Sequence, residues 1–183
     1  MENALLSQRI IHINRMELLQ EPIVDSLNLS TRLRAVARQY AARPAVMSRD
    51  CVLTYGELDE AAMGLARWFH AEGLVPGDRV AIQSTNTVEV VVVLLACFHA
   101  GLVAVPVNTR FKPPEIQYVL DHSQPRLCFC APQFAAAVKG IQSEVPGLSA
   151  IYTELPASVS GPDPEPPPAD RPALILYTSG TTA

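Results

Sequence analysis

Residues 174 to 183 read LILYTSGTTA, an apolar run into Tyr177 followed by Thr178, Ser179, Gly180, Thr181 and Thr182. This combination can bind an anion. A glycine gives the backbone freedom to bring N–H groups close to phosphate, and each hydroxyl adds a donor to phosphate oxygens. The preceding run reads as a buried strand, and in open α/β sheets ligands bind beyond the carboxyl ends of strands. The spacing is not that of a Walker loop, which requires a glycine, four residues and then Gly-Lys-Ser/Thr. A hydroxyl-rich loop taken alone also fits a surface turn.

Other chemistries find little support. Cys51 and Cys97 stand alone, and Cys128-Phe129-Cys130 lacks a second pair at zinc-site spacing. The Cys-Phe-Cys triplet reads instead as one buried strand with its thiols on a single face. His12, His70, His99 and His122 show neither metal-site spacing nor pairing with a nucleophilic cysteine. No metal ligand and no catalytic side chain is therefore assigned.

The 183 residues suffice for a domain that buries about 70% of its unfolded surface. A net charge of -4, with the arginines scattered, argues against nucleic acid or anionic membrane as the main partner. Residues 1 to 20 mix charges into every apolar stretch and do not read as a secretory signal, so a cytoplasmic location is expected. Val90 to Val107 is an 18-residue run whose only ionisable group is His99. Asn86 and Glu89 as a cap, Gly101 as a stop and Pro106 at the end divide it into a buried helix and a buried strand rather than a membrane span.

The elements that must position the loop alternate along the chain. Ser30 is expected to cap a first helix bearing Leu33, Val36, Ala37 and Tyr40, with Pro44 marking its end. A hairpin in AVMSRDCVLTY follows, then a helix opened by Thr54 and Glu57 and stopped by Gly73. The strand in VPGDRVAIQS, the apolar helix and strand already described, and a helix from Pro113-Pro114 come next. RLCFCA is a strand, residues 134 to 139 a short helix, and AIYT a last strand. This order predicts an α/β fold, a doubly wound, mostly parallel sheet with helices on both faces. Residues 1 to 24 read as an extension, 25 to 157 as the α/β subdomain, 158 to 172 as a linker and 173 to 183 as the strand and loop. The linker carries six prolines, which suit an extended connection over the surface.

At YTSGTT the chain strongly resembles the adenylate-forming ligases, the superfamily of acyl-CoA synthetases, luciferases and peptide-synthetase adenylation domains. Three further stretches agree in the family's order: LTYGELDEAAMGLARWFHAEGLVPGDRVAI, LLACFHAGLVAVPVNTRFKPPEIQYVLDHSQPRL, and the approach into ALILYTSGTT. Pro106-Val107-Asn108-Thr109-Arg110 resembles the acyl-CoA synthetase form, although Asn108 and Arg110 also suit a turn after the strand.

The resemblance implies a carboxylic acid, ATP, Mg2+ and coenzyme A as reactants and cofactors. It implies that Thr178, Ser179, Gly180, Thr181 and Thr182 hold the β- and γ-phosphates. It further implies a lysine beyond Ala183 and later segments for adenine, magnesium and the acyl pocket, so the 183 residues are expected to be catalytically incomplete and prone to self-association through uncovered surfaces. A non-catalytic α/β module used for binding or interaction remains the other reading.

Overall fold

The computed structural model describes residues 28–49 and 51–178. Asn28 begins the order, accepting from the Thr31 amide at 2.9 Å and capping α1 (Leu29–Gln39). The cap is thus not Ser30. Ser30 lies inside the first turn, buried, with its hydroxyl 2.7 Å from His99 Nδ1, because the third helix passes directly beneath it.

β1 (Pro44–Met47) and β2 (Val52–Thr54) form the expected antiparallel hairpin. α2 (Tyr55–Ala71) opens on a reciprocal cap, in which Glu57 N–H donates to Thr54 Oγ1 at 3.3 Å and Thr54 N–H donates to the Glu57 carboxylate at 2.8 Å. Two orphan donors are satisfied by one pair of side chains. Gly73, at φ 76°, lets the chain leave the helix toward β3 (Arg79–Gln83).

α3 (Val88–Ala100) follows, capped in position by Thr87 and not by Asn86, with no side-chain cap bond. It is apolar nearly all round, as a helix packed on several sides must be. Its 13 residues span about 20 Å, and among the described residues no helix is long and apolar enough to cross a membrane. Gly101 ends it in the left-handed conformation, and β4 (Val103–Pro106) returns along the sheet.

α4 (Pro113–Ser123), β5 (Leu127–Cys130), α5 (Pro132–Ile141) and β6 (Ala150–Tyr152) complete the alternation. α5 is longer than the expected 134 to 139, since Pro132 with its fixed φ begins the helix at its first position.

The four strands pair in the order β4-β3-β5-β6, all parallel. Val80 and Ile82 of β3, with Leu127 and Phe129 beside them, join the core beneath α2 and α3. Ala81, Val105, Cys128 and Cys130 face the other way, toward Ile116, Leu120 and Val138 of α4 and α5. The Cys-Phe-Cys alternation is therefore the pleat of a doubly covered sheet. Trp68, Phe69, Phe129 and Tyr152 interlock on the α2 face, with ring centroids from 5.1 to 6.2 Å apart.

Residues 173–178 differ from the expected strand. Only Leu174 bridges the sheet, beside Ala104: Ala104 N–H donates to Ala173 O at 3.0 Å, and Ile175 N–H donates to Ala104 O at 2.9 Å. Val105 turns its bonds toward β3, and the next outward donor of β4 would belong to Pro106, which has no N–H. The ladder stops there for want of a donor.

Residues 158–172 adopt no regular structure and lie against the helices. Arg67 Nε donates to Val159 O at 2.9 Å, and the Asp163 carboxylate takes Arg34 at 2.9 Å and Arg67 at 2.6 Å. A Cβ on Gly64 would collide with Ser158 Oγ, so a glycine on α2 makes room for this strap.

His99 is 1% exposed at the junction of α1, α2 and α3. Its Nε2 stands 3.7 Å from the Asp59 carboxylate, too far for a hydrogen bond. Burial, aided by Arg34, lowers its pKa from 6.5 to about 4, so the folded protein holds it neutral. A depressed histidine makes the unfolded chain the better proton binder between about pH 6.5 and 4, so stability is full above that window and falls as pH drops through it. Burial raises the Asp59 carboxyl, which acts in the opposite sense and blunts the loss at the acid end of the window. Urea titration should show about 2 kcal/mol less stability at pH 5 than at pH 7 from this histidine, and His99→Gln should flatten the difference. An unchanged pH dependence in the variant would exclude His99 as its source.

Candidate functional site

The carboxyl ends of β4, β3, β5 and β6 all lie on one edge of the sheet, as parallel pairing requires. From β3 the chain departs to α3 on one face, and from β5 it departs to α5 on the other. Adjacent strands whose connections part in opposite directions leave a crevice between them, the position at which such sheets bind ligands. A cavity of about 420 Å³ lies there, floored by Ile82, Val93, Phe129 and Tyr152, with Ser84 and Thr87 at its rim.

The hydroxyl-rich loop begins elsewhere on the same edge. Thr178 is exposed, beyond the Leu174 bridge on the outer side of β4, and borders a second concavity of about 340 Å³ with Phe111, Tyr118, Val119 and Tyr177. Ser179, Gly180, Thr181 and Thr182 lie outside the described residues. Of the five residues assigned to phosphate, Thr178 alone thus falls within the described residues.

Tyr177 fixes the root of that loop. Its hydroxyl is 2.7 Å from His122 Nδ1, and its ring stands edge-on to His122 and Tyr118 at 5.7 and 6.4 Å. Burial is the main cause that raises its phenol above the ordinary range. Tyr118 and His122 stack on one another at 5.8 Å, four residues apart on α4. Sequence reasoning missed this trio. The available signal was an aromatic residue and a histidine one helical turn apart, on the side of α4 away from Ile116 and Leu120.

Asn108 serves the turn after β4: its Oδ1 accepts from the Arg110 amide at 2.9 Å, and its carbonyl accepts from Phe111 N–H at 3.1 Å. Cys128 and Cys130 are buried. Their mutual hydrogen bond is the first cause of both shifts, raising the Cys128 thiol and lowering that of Cys130, and Cys130 is only 3% exposed. Among the described residues no three His, Cys, Asp or Glu side chains gather to hold a metal ion.

One further group at this edge went unforeseen. Gln83, the last residue of β3, is 1% exposed, and among the described residues neither amide atom has a hydrogen-bond partner. An unsatisfied buried amide costs about 1–3 kcal/mol. Gln83→Met keeps the volume and removes the polar atoms, so it should raise the urea midpoint, by about 1 kcal/mol of stability. A destabilised Gln83→Met protein would show that the amide is satisfied in solution.

Comparison with known proteins places these features in context. A model of the family described as "AMP-binding enzyme" matches residues 33–183. A fatty acid–[acyl-carrier-protein] ligase, ScoC, of Streptomyces coeruleorubidus is 33% identical over 91% of this chain, and a sulfoacetate–CoA ligase of Cupriavidus necator is 35% identical over 87%. The chain spans about a third of the length of each, 33% in both cases. Among solved structures, ATP-bound MatB from Rhodopseudomonas palustris superimposes with a TM-score of 0.71 at 29% identity, over 85% of this chain and 33% of that one.

Proposed function

The chain belongs to the AMP-binding enzyme family, and from that premise we propose that it is the amino-terminal part of an ATP-dependent carboxylic acid:CoA ligase. The observation that carries the reading is the start of the YTSGTT loop at the carboxyl edge of a parallel sheet, with Thr178 open to solvent.

Carboxylates are poor acyl donors, and the proposed reaction removes that difficulty in two steps. A carboxylate oxygen of the acid attacks the α-phosphorus of ATP, the bond to the bridging oxygen breaks, and pyrophosphate leaves with the electron pair. The thiolate of coenzyme A then attacks the acyl carbon, and AMP departs with the former carboxylate oxygen. A carrier-protein thiol is the competing acceptor.

The role proposed for Thr178, Ser179, Gly180, Thr181 and Thr182 is electrostatic and positional. Their hydroxyls and backbone N–H groups hold the β- and γ-phosphates as charge develops on the leaving pyrophosphate. Gly180 supplies the backbone freedom to close over the nucleotide. Mg2+ accompanies ATP in this reading, and no residue of the chain is assigned to it. The remaining two thirds of a family-length enzyme supply the rest of the site, so these 183 residues alone make no acyl-adenylate.

Two measurements test the proposal. Incubated with ATP, Mg2+ and a panel of fatty and aromatic acids, the 183-residue chain should release no pyrophosphate above background; acid-dependent release would overturn the claim of incompleteness. Joined to the downstream two thirds of a relative, the chain should adenylate an acid, and replacing Thr181 and Thr182 together by alanine should slow that step. Each hydrogen bond to charged phosphate is worth about 1.5–3 kcal/mol, so the loss should be about two to four orders of magnitude. Thioester formation from supplied acyl-adenylate should change far less, with coenzyme A and a carrier protein compared as acceptors. Equal loss in both half-reactions would remove the loop from phosphate binding.

A further inference from the structure

We infer that His122 is a positioning residue that holds the root of the hydroxyl-rich loop through Tyr177; the inference rests on the ligase reading for what the loop binds, but not for how it is held. The backbone anchoring of this segment is slight. Among the described residues, its last backbone bond to the sheet is Ile175 N–H to Ala104 O, and Pro106 denies it the next one. Leu176 follows, 66% exposed.

The next anchor is the Tyr177 side chain. Its ring packs against the core on the α4 side of the sheet, and its hydroxyl meets His122 Nδ1 at 2.7 Å. With His122 protonated at Nε2, the phenol donates and Nδ1 accepts. The imidazole is itself held, stacked on Tyr118 at 5.8 Å with 15° between the planes. Both rings ride on α4, whose Ile116, Val119 and Leu120 are buried against the sheet. A rigid path therefore runs from the core through α4 and His122 to Tyr177, and Thr178, the first phosphate donor, is the adjacent residue.

Position matters more here than the strength of one exposed bond. A shift of about 1 Å in a group that orients a reacting substrate costs up to about a hundredfold in rate. Loss of the His122 contact should thus barely alter global stability, yet should misplace the loop.

The experiment begins with the chain as it stands. Amide hydrogen exchange of Ile175 and Ala104, followed by NMR, should accelerate about two- to tenfold in His122→Ala and in Tyr177→Phe, as expected for losing one ordinary hydrogen bond. Amides of Ile82 and Phe129 in the sheet centre should exchange as in the wild type. His122→Asn places an amide group near the position of Nδ1 and should restore the slow rate. Unchanged Ile175 exchange in His122→Ala overturns the inference, and so does faster exchange throughout the sheet.

The second arm uses the fusion with the downstream part of a relative. There His122→Ala should raise the KM for ATP or lower the adenylation rate by about three- to thirtyfold, leaving thioester formation from supplied acyl-adenylate within about twofold, and His122→Asn should recover most of the loss. Faster exchange with unaltered adenylation would make His122 merely structural and end the proposal. A wild-type fusion that adenylates no acid would refute the ligase reading, and the exchange rates would still decide whether His122 holds Tyr177.

Discussion

The pairing of β3 on both of its edges is the constraint from which the rest of the molecule follows. Arg79–Gln83 bonds in parallel to β4 on one side and β5 on the other, and its side chains are buried on both faces. Parallel neighbours require crossover connections, and the crossovers here are α3, α4 and α5. Since β4 and β5 lie on opposite sides of β3, the chain must cross the sheet between them, and α4 covers the face that α2 and α3 leave open. The same arrangement gathers every strand's carboxyl end on one edge, so the place where the chain can meet a ligand is fixed before any particular side chain is considered.

That edge is divided between two features. The switch-point cavity lies over β3, β5 and β6, whereas the hydroxyl-rich loop emerges beyond β4. Among the described residues the root of the loop is tied to the sheet by the backbone bridge at Leu174, and to α4 by the ring contacts and hydrogen bond of Tyr177. Pro106 ends the ladder, and the Tyr118–His122 pair on α4 supplies the side-chain anchor that the ladder does not. With Leu174 and Leu176 exposed, a change at this anchor can shift the segment with little loss of core packing. The strap at 158–172 enters this segment from the α1–α2 side. Despite partial burial, Arg34 and Arg67 hold the Asp163 carboxyl below the usual carboxylate range.

Much of this was legible in the sequence, for identifiable reasons. The Thr54–Glu57 cap, Gly73, Gly101 and Pro113 act through local backbone chemistry, which a sequence displays directly, and each stands where it was expected. The alternation of Cys128, Phe129 and Cys130 reported a strand covered on both faces. Where the reading erred, tertiary contacts decided. Ser30 is an able cap, but His99 takes its hydroxyl and Asn28 caps in its place. Residues 174–177 are apolar enough for a full strand, yet the proline in the neighbouring strand limits them to a bridge, an effect that appears only once the register with β4 is known. The His122–Tyr177 contact joins positions 55 apart in sequence and carries no periodic signal. The isolation of Gln83 depends on what packs around it, which no sequence pattern displays.

Photoaffinity labelling tests most directly whether the loop, rather than the switch-point cavity, receives the phosphates. An ATP analogue with a photoreactive group on its γ-phosphate, irradiated in the fusion with a relative's downstream part and mapped by mass spectrometry, reports which segment lies beside the terminal phosphate. Labelling within residues 177 to 183, suppressed by excess ATP, is the result expected. Labelling of Ser84 to Val93 or of the residues that follow β6, with none on the loop, would contradict the account.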